Sequence, residues 1–273
     1  MIEDISHSID GGLYGELIYN RAFQGSAVTT GKIPEFNGTV ILDSENPAEP
    51  YGPVLKGYRA IGGARLSLNR FHPLSKALPT VLQIRFPIDA TGEVGFLNEG
   101  FFGMDVSKQT YNASLYILAG GPFEAANLTH MNVSLRSNLT QDVWATRSIP
   151  LTNSSTSDSC WTQLQTQIQN DAAAPDSNNT FAVTFNGSEV AGKTFYFSLL
   201  SLFGETFRDR PNGMRKDLAE AIYDLKPKWL RFPGQLQCIV DAMSVLTGLK
   251  QVVTISRVSA MRLDINGRTR SDH

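Results

Sequence analysis

The chain has 273 residues, enough for one large domain or two ordinary ones, and at 41% hydrophobic and 18% charged its composition is that of a globular protein. A formal net charge of −2 leaves no electrostatic footprint for nucleic acid or an anionic membrane surface. No apolar run approaches bilayer-spanning length; "FYFSLLSLF" (195–203) is too short and reads as a buried strand.

Residues 1–24 open with a short strand-like segment and the pair Gly11-Gly12. "LYGELIYNRAF" (13–23) follows with helical spacing. From 25 to 203 the pattern becomes one of short β-rich runs separated by Gly, Pro, Asn and Ser clusters. These runs are "GTVILDS" (38–44), "TVLQIRFPI" (80–88), "ASLYILAG" (113–120), "NVSLRS" (132–137), "TFAVTF" (180–185) and "TFYFSLL" (194–200). Many short strands with turn signals between them predict a β-sandwich. At 204 the pattern changes again. "DRPNGMRKDLAEAIYDLKP" (209–227) predicts a helix, with Pro211 in its first turn and Pro227 as its stop. Met214, Leu218, Ala221, Ile222 and Leu225 fall on one face of it. "KWLRF" (228–232) reads as a strand, so this end has α/β order. The tail 235–273 holds no Phe, Tyr, Trp or Pro, whereas residues 1–234 hold all the aromatics and all 13 prolines.

Eight Asn-X-Ser/Thr sequons occur, at Asn37, Asn112, Asn127, Asn132, Asn138, Asn153, Asn178 and Asn186. Chance predicts roughly two or three for this composition, and the excess points to a secreted, extracellular glycoprotein. The chain nevertheless opens Met1-Ile-Glu-Asp, without the basic and apolar regions of a signal peptide, so the natural start is expected upstream. Two cysteines, Cys160 and Cys238, make no disulfide framework; Cys160 reads as a lone buried thiol, with a Cys160–Cys238 pair as the alternative.

No HExxH, CxxC, P-loop, GxGxxG or GxSxG is present, and the four histidines lack ligand spacing. Metal, nucleotide and nucleophile-elbow chemistry therefore have no sequence support. Glu3 and Asp4 precede the paired glycines; carboxylates at the end of a barrel strand are placed for a substrate, and a solvated strand end is the competing role that these residues alone favour. In an extended "KWLRFPG", Trp229 and Arg231 share one face and Leu230 and Phe232 the other. Arg231 then points toward a barrel mouth, where a guanidinium can bond sugar hydroxyls or orient a carboxylate; a structural ion pair is the competing role. "GETFRDR" (204–210) reads as a charged helix entry with surface ion pairs. Trp144 and Trp161 read as sandwich core, with sugar stacking as the alternative.

"EDISHSIDGGLYGELIYNRAFQ" (3–24), "NEGFFGMDV" (98–106), "AAPDSNNTFAVTF" (173–185) and "SLFGETFRDRPNGMRKDLAEAIYDLKPKWLRFPG" (201–234) together resemble the fungal-type α-L-arabinofuranosidases of glycoside hydrolase family 51. The resemblance covers 3–234. It implies a (β/α)8 barrel interrupted after its first strand and helix by a β-sandwich resembling a carbohydrate-binding module. The implied division is 1–24, first barrel strand and helix; 25–203, sandwich; 204–234, second barrel helix and strand; 235–273, a tail foreign to the family. Only two of eight barrel units are then present. The implied chemistry is retaining hydrolysis of terminal arabinofuranosyl groups of plant cell-wall arabinan or arabinoxylan, with one Glu as acid/base, one as nucleophile and no cofactor. By resemblance Glu3 and Arg231 contact the sugar. Both catalytic glutamates would belong to later strands, and the tail contains no Glu. After Gly234 the family continues Gly-Asn, whereas this chain has Gln235-Leu236. The expectation is an inactive chain whose sandwich folds. The alternatives are a non-catalytic carbohydrate-binding sandwich and a truncated product without function.

Overall fold

The structure is a computed structural model, and it describes residues 12–23, 39–41, 55, 57–121, 128–151 and 160–226. The chain divides into two compact units, Glu16–Glu205 and a second comprising Met1–Gly15 with Thr206–His273.

The first unit is a two-layer β-sandwich. Among the described residues its eleven strands are β1 (Thr39–Ile41), β2 (Tyr58–Ile61), β3 (Arg65–Asn69), β4 (Val81–Arg85), β5 (Glu93–Asn98), β6 (Thr110–Ala119), β7 (His130–Ser137), β8 (Val143–Pro150), β9 (Thr162–Gln169), β10 (Asn179–Asn186) and β11 (Thr194–Phe203). One sheet has the order β1-β3-β4-β11-β6-β9 and the other β2-β5-β10-β7-β8. Every strand pairing is antiparallel. Among the connections from β2 onward, only β3–β4 and β7–β8 stay within one sheet; the rest cross the sandwich. The β2–β3 crossing is made on Gly62 and Gly63, both at positive φ (65° and 74°), with Ala64 N–H bonded back to the Ile61 carbonyl.

Period-2 alternation fills the space between the sheets. Phe195 and Phe197 of β11 and Phe181, Val183 and Phe185 of β10 are buried and belong to one core cluster. The rings of Phe185 and Phe195 stack at 5.9 Å, and Phe96 meets Phe197 edge-on at 5.1 Å. Gly95 lies at the centre of β5, where an added Cβ would come within 2.1 Å of the Val183 carbonyl oxygen.

Residues 13–23 do not form the predicted helix. Tyr14 and Glu16 make isolated antiparallel bridges, and a turn occupies 19–22. Within the sandwich, residues 16–23 form a strap. β11 leaves β4 after Phe197 and shifts register between Ser198 and Ser201. The strap takes the vacated edge: Leu17 N–H donates to the Leu202 carbonyl and Leu200 N–H to the Arg21 carbonyl, each at 3.0 Å. Ile18 and Phe23 then enter the core. Tertiary hydrogen bonds thus override the helical spacing of this segment. The expected first helix of a barrel is accordingly absent from residues 13–23.

In the second unit, helix α2 spans only Lys216–Asp224 of the predicted 209–227; the short helix α1 (Gly187–Val190) belongs to the sandwich. Residues 207–209 form a 3₁₀ turn interrupted by Arg208 at φ 56°, and Asp209 and Asn212 also have positive φ. That backbone cannot continue a right-handed helix, so Pro211 lies in a turn ahead of α2 rather than in its first turn. Ala219 is the buried residue of α2, and Leu218 and Leu225 are exposed. The expected strand at 228–232 and the tail lie outside the described residues, as does the start of the chain at 1–11.

Phe185, packed between Phe86, Phe195 and Phe197, is the strongest single test of the sandwich core. Phe185→Ala is expected to cost about 3–5 kcal/mol in a urea titration followed by tryptophan fluorescence. A loss below about 1 kcal/mol would contradict this packing.

Candidate functional site

Glu3 and Arg231, the sugar-contacting residues implied by resemblance, lie outside the described residues, as do the sequons Asn37, Asn127 and Asn153. The other sequon asparagines are placed. Asn112 and Asn186 are exposed, and Asn132, Asn138 and Asn178 are half-buried. Asn138 Nδ2 donates to Asn178 Oδ1 at 2.8 Å, tying two of them together. Asn186 Oδ1 accepts the Ser188 N–H and caps α1.

Cys160 is exposed, not buried as its sequence context suggests, because it sits in the approach to β9 rather than in a strand. Cys238 lies outside the described residues. Trp144 is half-buried against the core, with its indole N–H bonded to Asn179 Oδ1 at 2.7 Å. Trp161 is not in that core. It packs on the opposite side of the six-stranded sheet, over Val81, Leu118 and Tyr196, and donates to the Pro73 carbonyl at 3.2 Å. In the charged turn, the Arg208 guanidinium lies 5.1 Å from the Phe207 ring centroid and 5.4 Å from that of Tyr223. Arg215 and Asp217 form an ion pair here at 2.5 Å, and it holds the Asp217 carboxyl below its usual range.

Two carboxyl groups of the sandwich have displaced proton affinities, in opposite directions. Glu16 is buried within the strap. One of its oxygens accepts the N–H groups of Ile18 (3.0 Å) and Leu202 (2.8 Å). The other accepts the Ser201 hydroxyl (2.7 Å) and meets Arg21 at 3.2 Å. Burial pushes this carboxyl above its usual value and outweighs the lowering by Arg21 and the hydrogen bonds. The nearby Tyr58 hydroxyl is raised further still, by its own burial and then by the Glu16 charge. Glu93 is half-exposed and clamped by Arg136 through two bonds of 2.7 and 2.5 Å, with Thr184 donating at 2.8 Å. The Arg136 bonds lower its proton affinity. Both carboxylates are committed to protein partners, and neither has the freedom of an acid/base catalyst. Among the described residues, no group of three or more His, Cys, Asp or Glu is placed to hold a metal ion.

The outer face of the six-stranded sheet has a different character. Register places Trp161, Leu118, Tyr196 and Gln83 across one end. The next row is Gln163, Tyr116 and Ser198, and the row after it Gln165, Ser114 and Ser201. His72 stacks on Tyr196 with centroids 4.5 Å apart. β9, "TQLQTQIQ", buries Leu164 and Ile168 and exposes four glutamines. Sequence reading passed over this strand although its alternation is regular; with two apolar positions in eight, its period was carried by polar residues.

No family model matches the chain. Among curated proteins, it is 33% identical over 234 residues to a probable α-L-arabinofuranosidase A of Aspergillus niger, covering 86% of this chain and 32% of that protein. The corresponding protein of Aspergillus terreus is 31% identical over the same length. Among solved structures, the arabinose-bound MgGH51 α-L-arabinofuranosidase superposes with a TM-score of 0.71 at 37% identity, over 86% of this chain and 34% of that one. This chain resembles the α-L-arabinofuranosidases of fungi. It spans about a third of the length of the relatives it matches, and the likeness to the arabinofuranosidase structure agrees with the sandwich read from the strand pattern.

The two displaced carboxyls carry opposite pH dependences. Glu16 binds its proton more tightly folded than unfolded. Its contribution to stability is full below the ordinary value of 4.5 and is lost as pH rises through that value toward the folded one. Glu93 binds its proton less tightly when folded, so its contribution is full above 4.5 and is lost as pH falls through the folded value. Urea midpoints across this pH range are expected to lose their alkaline-side decline in Glu16→Gln and part of their acid-side decline in Glu93→Gln. The reverse assignment would contradict the two environments.

Proposed function

We propose that this chain is the amino-terminal third of a retaining α-L-arabinofuranosidase whose substrate is plant cell-wall arabinan or arabinoxylan. The supporting observation is the match over 234 residues to curated arabinofuranosidases, together with the likeness to an arabinose-bound arabinofuranosidase structure at 37% identity. In this reading the β-sandwich interrupts a barrel to which the residues before Glu16 and those from 206 to 234 supply pieces, Glu3 and Arg231 bind the terminal arabinofuranosyl group, and the protein is secreted and glycosylated.

Retaining hydrolysis needs two carboxyl groups about 5–5.5 Å apart, one to protonate the leaving oxygen and one to attack the anomeric carbon. Glu16 and Glu93 do not supply that pair, since the first is buried within the strap and the second is held by Arg136. The catalytic pair belongs to barrel strands beyond the matched region. We therefore expect the 273-residue chain, assayed alone, not to turn over a nitrophenyl arabinofuranoside above the buffer rate. Turnover that Glu3→Gln abolishes would overturn the assignment of catalysis to later strands. Secretion has its own check: expressed in a fungal host with its natural leader, the protein is expected in the medium, with a mass that falls on endoglycosidase treatment.

A further inference from the structure

The strands β9, β6 and β11 are neighbours in the six-stranded sheet, and none of their 28 residues is charged. In a chain that is 18% charged this is a large neutral area. The inward side of each strand faces the core, so its neutrality needs no further cause. The outward side does, because exposed strand positions, and edge strands such as β9 above all, ordinarily carry Lys or Glu. β9 instead presents Gln163, Gln165, Gln167 and Gln169, all exposed, over about 20 Å of strand.

Along β9 and β6 the outward side chains are amides and hydroxyls, joined by Tyr116 and Leu118, while the Glu16–Arg21 pair lies beyond them at Ser201 of β11. Gln167 Nε2 donates to Asn112 Oδ1 at 3.0 Å and Thr110 Oγ1 to Gln169 Oε1 at 2.5 Å, which orients two of the four amides across the β6–β9 boundary. Tyr116 stands between Gln163 and Ser198 in register, half-buried. On β11 the same side is covered, with Tyr196, Ser198 and Ser201 all buried, so the open part of the face is β9 and β6. Trp161, over Tyr196, closes the end of the face.

We propose that this face, along β9 and β6 and ending at Trp161, binds a neutral polysaccharide laid over the glutamine row. A charged partner would be desolvated there without a counter-charge, which is unfavourable. A polyol suits the surface, since each hydroxyl both donates and accepts, as do amide and hydroxyl side chains. Tyr116 and Trp161 add flat apolar area beside polar groups, the composition of small-molecule and glycan sites. The identity of the glycan as arabinan or arabinoxylan rests on the function proposed above; the neutral character of the ligand rests on the face alone.

The test is affinity electrophoresis of the full 273-residue chain, made without N-glycans, in gels containing arabinoxylan, arabinan, a neutral β-glucan or polygalacturonate. Retardation is expected in at least one neutral polysaccharide and not in polygalacturonate. Gln163→Ala/Gln165→Ala and Tyr116→Ala should each weaken it at least tenfold, with the double glutamine variant keeping its thermal midpoint. Retention by β-glucan alone would uphold the face and count against the arabinan reading. Four results would overturn the proposal. They are no retention by any neutral polysaccharide, retention that the variants leave unchanged, retention confined to polygalacturonate, and glycan-dependent loss in protein carrying its own N-glycans. The last would mean that a sugar on Asn112 occupies the face instead.

Discussion

The sandwich depends on one buried carboxylate. Glu16 gathers two backbone N–H groups, a serine hydroxyl and an arginine from the strap and from β11. Its Coulomb attraction to Arg21 does not by itself recover the cost of taking a charge from water, and the raised proton affinity is the mark of that deficit. What the group provides is placement. The bulge in β11 frees backbone groups that β4 no longer meets, and the strap satisfies them only when Glu16 holds it in register. Asn98 does the equivalent on the other sheet, where its side-chain amide exchanges two hydrogen bonds with the backbone of Tyr19. One short segment is thereby pinned to both layers, and Ile18 and Phe23 seal the core between them.

The parts of the fold that could be read from sequence are those in which side-chain period and structure coincide. β4, β6, β7, β10 and β11 all follow from alternation of large apolar residues, and they form the middle of the two sheets. The strap could not be read in this way. Leu13, Leu17 and Ile18 have helical spacing, but the determinants of residues 16–23 are partners some 180 residues away. The beginning of α2 was misplaced for a local reason: Asp209 and Asn212 are of the types that tolerate positive φ, but Arg208 is not, and Pro211 between them reads equally as a first helical turn. Cys160 and Trp161 were assigned inside because their residue types favour burial, whereas both lie at the approach to β9. Glu3 and Arg231 came from motif resemblance and positional reasoning about a barrel, and no feature of the described sandwich bears on them.

The sandwich separates its polar chemistry by sheet. On the five-stranded sheet, Glu93, Arg136, Ser134 and Thr184 form a charged, mutually bonded group. On the six-stranded sheet the outward side chains of three adjacent strands are amides, hydroxyls and aromatics, with Leu118 under Trp161 at one end. The first arrangement is self-contained, with donors and acceptors already matched. The second leaves hydrogen-bonding capacity open to solvent in the exposed glutamines of β9, which is the physical difference between a structural network and a surface able to recognise something.

The Glu16–Ser201 contact spans 185 positions of sequence. During synthesis the strap leaves the ribosome long before the strand that receives it. At roughly 5–20 residues per second, the interval is about 10–40 s. Throughout that time Ile18 and Phe23 have no complete core to enter, because β11, which joins β4 to β6 in the middle of the six-stranded sheet, has not yet been made. The two ends of the sandwich thus act as a latch that closes last. A chaperone that shields short apolar segments would find its substrate in residues 16–23 of the nascent chain, and only until Phe203 emerges.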